Sequence, residues 1–383
     1  SKRYDIQLKG SGRTPYSRSG DGRSSIGPVL REYIVSEAMH SLGVKTTRSL
    51  AAVWSGENVH RQDLEPGGIF TRVASSHLRV GTLQYFLGLQ DYKALSQIIY
   101  YTIDRHYPQV REYENPVLEF FNQVCHNLNH LVTDWMSLGF IHGVMNTDNT
   151  SLSGETLDYG PCAFMDFFKS DKYYSFVDQE GRYRYENQPS ILQWNLTRLA
   201  ECLIHEVNDD EKKSIELLTQ SLEKSKKQIS ELWYKKIAKK LGILDPTSYD
   251  FEVICQWFNY LEKHRLDFTL SFIHLRKYFS GDKAHFFVYD ENFNKLIDKF
   301  NQRNQGISNH KRLNQMDQLN PWFIPRNHLV EKAIQEALRG ENLKTFKRLN
   351  QALQNPYLHQ HEFEDFYVPP KAGEEIKVTF CGT

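Results

Sequence analysis

Two short stretches carry side chains whose types and spacing suit chemistry on a phosphate. One is Phe-Ile-His-Gly-Val-Met-Asn-Thr-Asp-Asn, residues 140–149, and the other is Leu-Asp-Tyr-Gly-Pro, residues 157–161. An amide oxygen on Asn149 and a carboxylate on Asp158 are hard oxygen donors, the kind that Mg²⁺ takes when it bridges nucleotide phosphates. Asp148, next to Asn149, is placed to act as a general base toward a hydroxyl. Asn, Asp and Gly also form turns for purely local reasons, so either stretch alone reads first as a turn. Their order, directly after a long apolar helix, is what favours chemistry.

Cations and a glycine-rich turn precede them. Lys9 ends a strand-like segment and Glu32 lies in the first turns of the next helix; a strand lysine paired with a helix glutamate can reach phosphate oxygens. The segment Gly-Ser-Gly-Arg-Thr-Pro-Tyr-Ser-Arg-Ser-Gly-Asp-Gly-Arg, residues 10–23, sets Arg13, Arg18 and Arg23 among glycines that let backbone N–H groups approach an anion. Arg72 and Arg79, with His77 between them, form a second candidate phosphate clamp. The competing readings are a surface lysine, a solvated loop and strand-end arginines in surface ion pairs.

The elements needed to position these groups are legible from periodicity. Tyr4, Ile6 and Leu8 alternate with Asp5, Gln7 and Lys9, predicting a strand with its apolar side half-buried and Lys9 on the other side. Helical spacing predicts helices over 29–42, 95–106, 116–138, 191–207, 210–241, 251–264 and 326–339; strands are expected near 46–54, 68–74 and 163–165. A strand-rich first part and a helical second part predict an α+β protein of two lobes with a cleft between them.

Protein kinases order a catalytic loop, H-R-D-x-x-x-x-N, before D-F-G. With His142 set on the first position, Val144 falls where the kinase base stands, Asn149 on the metal-binding Asn, and Asp158-Tyr159-Gly160 on D-F-G. Longer segments carry a closer resemblance: IQLKGSGRTPYSRSGDGR, REYIVSEAMHSLGVKTTRSL, TRVASSHLRVG, HGVMNTDN with DYGPCAFMD, QPSILQWNLTRLA and NPWFIPRNHLVEKAI. Together they resemble the selenoprotein O (YdiU) family of protein adenylyltransferases over nearly the whole chain. The resemblance implies a protein-kinase-like two-lobed fold, with residues 1–86 as a strand-rich N-lobe, incomplete at its start, and residues 87–383 as a mostly helical C-lobe. It implies transfer of AMP from ATP to Ser, Thr or Tyr hydroxyls of protein substrates, with Mg²⁺ or Mn²⁺. Carried over, Lys9 would contact phosphate and pair with Glu32; Asp21 and Gly22 would line the nucleotide; Arg72 and Arg79 would hold the terminal phosphates. Asp148 would be the base, Asn149 and Asp158 the metal ligands, and Cys381 a redox-active group.

Composition limits the alternatives. The 383 residues contain 47 Lys+Arg and 47 Asp+Glu, a balance that argues against non-specific nucleic-acid binding. No apolar run is long enough for a membrane span, and a bacterial cytoplasm fits the untargeted chain, or mitochondria if the source is eukaryotic. The five cysteines, Cys125, Cys162, Cys202, Cys255 and Cys381, form no C-x-x-C pair; the first four read as buried reduced thiols. His126 with His130, and His359 with His361, read as ordinary surface pairs. Residues 223–240 read as a basic helix with Ile229, Leu232 and Ile237 packed inward.

Overall fold

The computed structural model describes residues 3–15, 17, 20–61, 63–282, 285–340 and 342–380. Its first part is a small antiparallel sheet built around one long strand. β1 (Asp5–Lys9) and the short β2 (Ser24–Ser25) lie end to end along one edge of β4 (Leu64–Ala74), and β3 (Arg48–His60) pairs with the other edge. Helix α1 (Ile26–Ser41) leaves β2 directly and packs across β3 and β4. The register sets Lys9 opposite Phe70 and Gln7 opposite Arg72, so the alternation of a strand puts Asp5, Gln7, Lys9 and Arg72 on the same side.

That side is the interior one, which corrects the expected sense of β1. Tyr4, Ile6 and Leu8 are 55%, 64% and 54% exposed, and the polar residues face the protein. Alternation distinguishes two faces without saying which turns inward. Here the charged partners on β4, α1 and the loop at Asp158 draw the polar face in.

The remainder is helical: α2 (Val80–Gly88), α3 (Tyr92–His106), α4 (Pro116–Ser137), a two-stranded ladder of β5 (Phe140–Ile141) with β6 (Ala163–Phe164), α5 (Gln188–Val207), α6 (Glu211–Lys240), α7 (Phe251–Lys263), α8 (Phe268–Phe279), α9 (Glu291–Arg303), α10 (Asn309–Leu319), α11 (Asn327–Leu338), α12 (Lys344–Leu353) and α13 (Glu364–Tyr367). The protein is therefore α+β, with small sheets. Helix α4 shows why the loop it delivers is well placed. Asn115 caps it by accepting from the Leu118 N–H at 3.0 Å, Pro116 opens it, and Gly139 ends it at φ +70°. Its face of Phe120, Phe121, Val124, Leu128, Leu131 and Val132 is buried among α5 and α6. β5 and the loop 142–149 follow at once.

Two apolar clusters form the interior. The larger runs through α3–α9; the smaller joins α1 and Phe70 to Phe323 and to α11 and α12, through Ile26, Leu30, Ile34, Val330, Ile334 and Leu349. The helix that carries Glu32 is thus held on one side by the sheet and on another by helices from far along the chain. In α6, Ile229 and Ile237 are buried as expected, Leu232 only partly. Cys125, Cys162 and Cys202 are buried and Cys255 half-buried, all as free thiols. His126 donates to or accepts from Gln228 through Nδ1, and His361 pairs with Glu364 on the surface. No described helix is long and apolar enough to cross a membrane.

Two expectations follow. Ile34→Ala, in the smaller cluster, should lower unfolding free energy by about 2–5 kcal/mol, whereas Leu50→Ala at an exposed site should change it by less than about 0.5 kcal/mol; urea denaturation compares them. Second, burial pushes His77, His106, His142, His274 and His328 each down to about 4. The unfolded chain takes up protons at these sites from about pH 6.5, before the folded chain does, so each costs stability as pH falls from there toward 4. Asp166, pushed up by burial to about 6, acts in the opposite sense over an overlapping window. With the five histidines outnumbering Asp166 and the likewise raised Glu32, the urea midpoint should fall steadily between pH 6.5 and 4; a flat or rising midpoint would contradict this.

Candidate active site

β1, α1, β4 and the loop after Leu157 bring four charged side chains into contact. Lys9 Nζ donates to Asp158 Oδ1 at 2.8 Å and contacts the Glu32 carboxylate. Arg72 Nη2 donates to the same Asp158 oxygen at 2.8 Å and to Glu32 Oε2, while its Nη1 donates to Gln7 Oε1 at 2.8 Å. Arg72 and Glu32 are only 2% exposed at their side chains and Asp158 15%. Buried charges persist only when paired and hydrogen-bonded; both cations contact Asp158, whereas burial, with the Asp158 charge, pushes the Glu32 carboxyl up against the pull of Arg72 and Lys9. Burial alone would raise the Asp158 carboxyl; Lys9 and Arg72 outweigh it and hold Asp158 well below the usual carboxylate range. Glu32 and Asp158 together raise Arg72 against the burial that would lower it.

A further cation and the second loop adjoin this network. Arg79 precedes α2 and bridges to Ser151; Val80 N–H donates to Thr150 O at 3.0 Å and Leu152 N–H to Leu78 O at 2.9 Å, so the loop bearing Asp148 and Asn149 is laced to the start of α2. The Arg79 guanidinium is close enough to both Asp158 and Asp148 for each to act on its charge. Burial and then Arg72 push its pKa down, and its buried Nε has no hydrogen-bond partner among the described residues. Gly81 lies directly against Asp148: a Cβ there would sit 2.2 Å from Asp148 Oδ1.

The loop 142–149 is fixed from below by α5. Gln188 Oε1 accepts from His142 N–H and its Nε2 donates to Phe140 O, both at 3.0 Å, and Asn195 Nδ2 donates to Met145 O at 2.9 Å. Both amides are fully buried, where an unpaired polar group is costly, so they hold the loop as backbone would. His142 is buried and neutral, with its ring beside Trp135 and Phe140. Asn149 Nδ2 donates to Val144 O at 3.0 Å, which orients the amide and keeps its oxygen for another partner. An amide oxygen and an ionised carboxylate are a donor set that fits Mg²⁺ or Mn²⁺.

The structure thus gathers Lys9, Glu32, Arg72 and Asp158, with Arg79 and Asp148 alongside and Asn149 on the same loop as Asp148. Asp21 and Gly22 stand elsewhere, on the hairpin that extends from β1 to β2. Asp21 pairs with Arg61 at 3.1 Å, and Gly22 O accepts from Gly12 N–H at 3.0 Å. Arg13 and Arg23 are exposed, Arg23 in contact with Glu57, as a solvated loop would have them. His77, offered as part of the Arg72–Arg79 clamp, is neutral near pH 7 because burial and both arginines hold it at about 4. Arg18 and Cys381 lie outside the described residues. The sequence reading assigned no role to Gln7, Gly81, Gln188 or Asn195. The last two stand in the QPSILQWN segment that carried the resemblance, and no residue pattern marks an amide as a loop support.

The family model described as protein adenylyltransferase SelO matches residues 1–354. The chain belongs to that family. A protein of Nitrobacter hamburgensis named protein nucleotidyltransferase YdiU is 46% identical over 389 residues, spanning all of this chain and 77% of its own length. Proteins of the same name from Maridesulfovibrio salexigens and Pelagibacter ubique are each 44% identical, again over the whole chain and over 78% and 79% of their lengths. Membership gives the charged network a context, since its members come from the segments that family proteins share with this chain.

Gly81→Ala tests the close approach. The added methyl must displace the Asp148 carboxylate, so turnover in a nucleotidyl-transfer assay should fall roughly 10- to 100-fold while the melting temperature stays near that of the parent. Unchanged turnover would show that the Asp148 position is unimportant.

Proposed function

We propose that this chain transfers AMP from ATP to Ser, Thr or Tyr hydroxyls of proteins and releases pyrophosphate. The observation that carries this reading is the ionised Asp158 held between Lys9 and Arg72, with Arg79 and Asp148 beside it. The name protein nucleotidyltransferase borne by close relatives supports it. On this reading residues 1–86 form the smaller lobe and residues 87–383 the larger lobe of a kinase-like fold, with ATP between them.

The chemistry follows from the groups present. The acceptor oxygen bonds to the α-phosphorus as the bond from that phosphorus to the α–β bridging oxygen breaks. Asp148 takes the hydroxyl proton, and pyrophosphate carries away the electron pair. Lys9, Arg72 and Arg79 hold the phosphates, and Glu32 orients Lys9 and Arg72. Asn149 and Asp158 would hold Mg²⁺ or Mn²⁺, which would supply charge neutralisation at the phosphates. Positioning and fixed charge account for most of the rate, because the reaction asks for little covalent help from the protein. Val144 at the position of the kinase base is compatible with a reaction other than γ-phosphoryl transfer. The reaction requires a compartment that holds ATP, such as a bacterial cytoplasm or, in a eukaryote, mitochondria.

Labelled ATP tests the proposal. Label at the α-phosphate should become bound to protein substrates or to the enzyme itself, and label at the γ-phosphate should not. Asp158→Ala should abolish incorporation, and Asp148→Ala should lower kcat by about 10²- to 10⁴-fold with nucleotide binding retained. Incorporation from the γ-phosphate alone would assign phosphoryl transfer instead, and calorimetric ATP binding without any incorporation would assign a nucleotide-binding scaffold.

A further inference from the structure

Near the end of the described residues, Thr379 reaches the stretch that follows Asp158. Thr379 is 1% exposed. Its Oγ1 donates to Pro161 O at 2.6 Å, its N–H donates to Tyr174 O at 2.7 Å, and its carbonyl accepts from Phe176 N–H at 3.0 Å. Thr379 also bridges Ser175 in parallel fashion, and the Phe380 ring lies 5.0 Å from that of Phe176. Every polar group of Thr379 is therefore committed to the stretch between Pro161 and Phe176.

Pro161 O is a junction. Pro161 stands three residues after Asp158, and its oxygen also lies against the other loop: a Cβ on Gly143 would lie 2.8 Å from Pro161 O and 3.3 Å from Ser175 Cβ. Gly143 adopts φ +81°, a conformation that glycine takes without cost. The loop bearing Asp148 and Asn149, the loop bearing Asp158, and residues 374–380 thus meet at one carbonyl. Deleting the Thr379 hydroxyl would leave a buried acceptor unpaired at that point, where the backbone has few ways to compensate.

We propose that Thr379 is a positioning residue: by holding Pro161 O it fixes the separation of the Asp158 and Asn149 loops, and so the affinity of the site for a divalent cation. This rests on the reading of Asp158 and Asn149 as the cation's ligands. Thr379 touches neither nucleotide nor acceptor; it acts through Pro161.

The test compares Thr379→Val, which keeps the shape and removes the donor, with Thr379→Ser, which keeps the donor. Mn²⁺ binding is measured by calorimetry in the presence of a non-hydrolysable ATP analogue, and amide hydrogen exchange is followed in peptides covering 157–163 and, as a control, α6. Thr379→Val should weaken Mn²⁺ roughly tenfold, the loss expected for one buried acceptor left unpaired. It should raise the metal KM more than it lowers kcat, and speed exchange in 157–163 with α6 unchanged. Thr379→Ser should restore all of these to within about twofold, since the donor bond is kept. Phe380→Ala, at an exposed ring, should shift exchange in 157–163 in the same direction but less, and decides the matter if Thr379→Val does not fold. Unchanged exchange and Mn²⁺ affinity in Thr379→Val, or equal damage in the Ser variant, would overturn the proposal. Asp158→Asn separates the two ideas. If it leaves Mn²⁺ affinity intact, the ligand reading fails and the coupling to metal goes with it, whereas normal Mn²⁺ loss in Asp158→Asn with an unaffected Thr379→Val refutes Thr379 alone.

Discussion

Burying charge is the constraint on which the rest of this structure depends. Arg72 and Glu32 lie almost wholly out of water, and Asp158 mostly so. Such groups survive only in mutual contact, and removing one partner from a buried pair typically costs about 3–5 kcal/mol. Lys9, Arg72, Glu32 and Asp158 are consequently interdependent, although they come from two strands, a helix and a loop nearly 150 residues further on. Lys9 and Arg72, both in contact with Asp158, let it remain ionised in a buried place. Arg79 lies close to both Asp158 and Asp148, so this third cation also has carboxylates beside it.

The scaffold around the network serves to limit how far its members can drift. Glu32 rides on a helix packed between the sheet and α11–α12. Asp148 and Asn149 sit on a loop held from one side by the Gln188 and Asn195 amides and laced on another to the start of α2. Asp158 is followed within three residues by the Pro161 carbonyl that Thr379 engages. Apart from the apolar packing around the helix of Glu32, these supports are neutral hydrogen bonds to backbone, each modest in energy. The charged groups lie in mutual contact, and the neutral ones hold the segments that carry them.

The sheet shows the same priority of charge over apolar burial. Ile6, Leu8, Leu50, Val53 and Trp54 are exposed, while Lys9, Gln7 and Asp5 turn inward. A hydrophobic pattern alone would place them the other way round. Asp5 accepts from Arg105 Nη2 at 2.8 Å, and Gln7 accepts from Arg72, so the inward polar residues all have partners.

The sequence by itself determined the element types, the long helices to within a few residues, the α+β class and the family. It also named the residues of the charged network, because long local motifs and capping signals such as Asn115–Pro116 and Gly139 need no distant information. It did not reveal α2, α8, α9, α10 or α12, although α9 buries Phe293, Leu296, Ile297 and Phe300 at regular helical spacing and that signal was there to be read. Nor did it indicate that the polar face of β1 is the buried one, that Gln188, Asn195 and Thr379 hydrogen-bond the backbone of the two loops, that Gly81 touches Asp148, or that α11 and α12 brace the helix of Glu32. Those facts depend on which surfaces meet, and partners separated by 50 to 300 residues leave no trace in the local pattern of either one. Chemistry could be read from the types of side chain; their distances and ionisation came only with the fold, since a carboxylate's charge is set by neighbours that the chain order does not reveal.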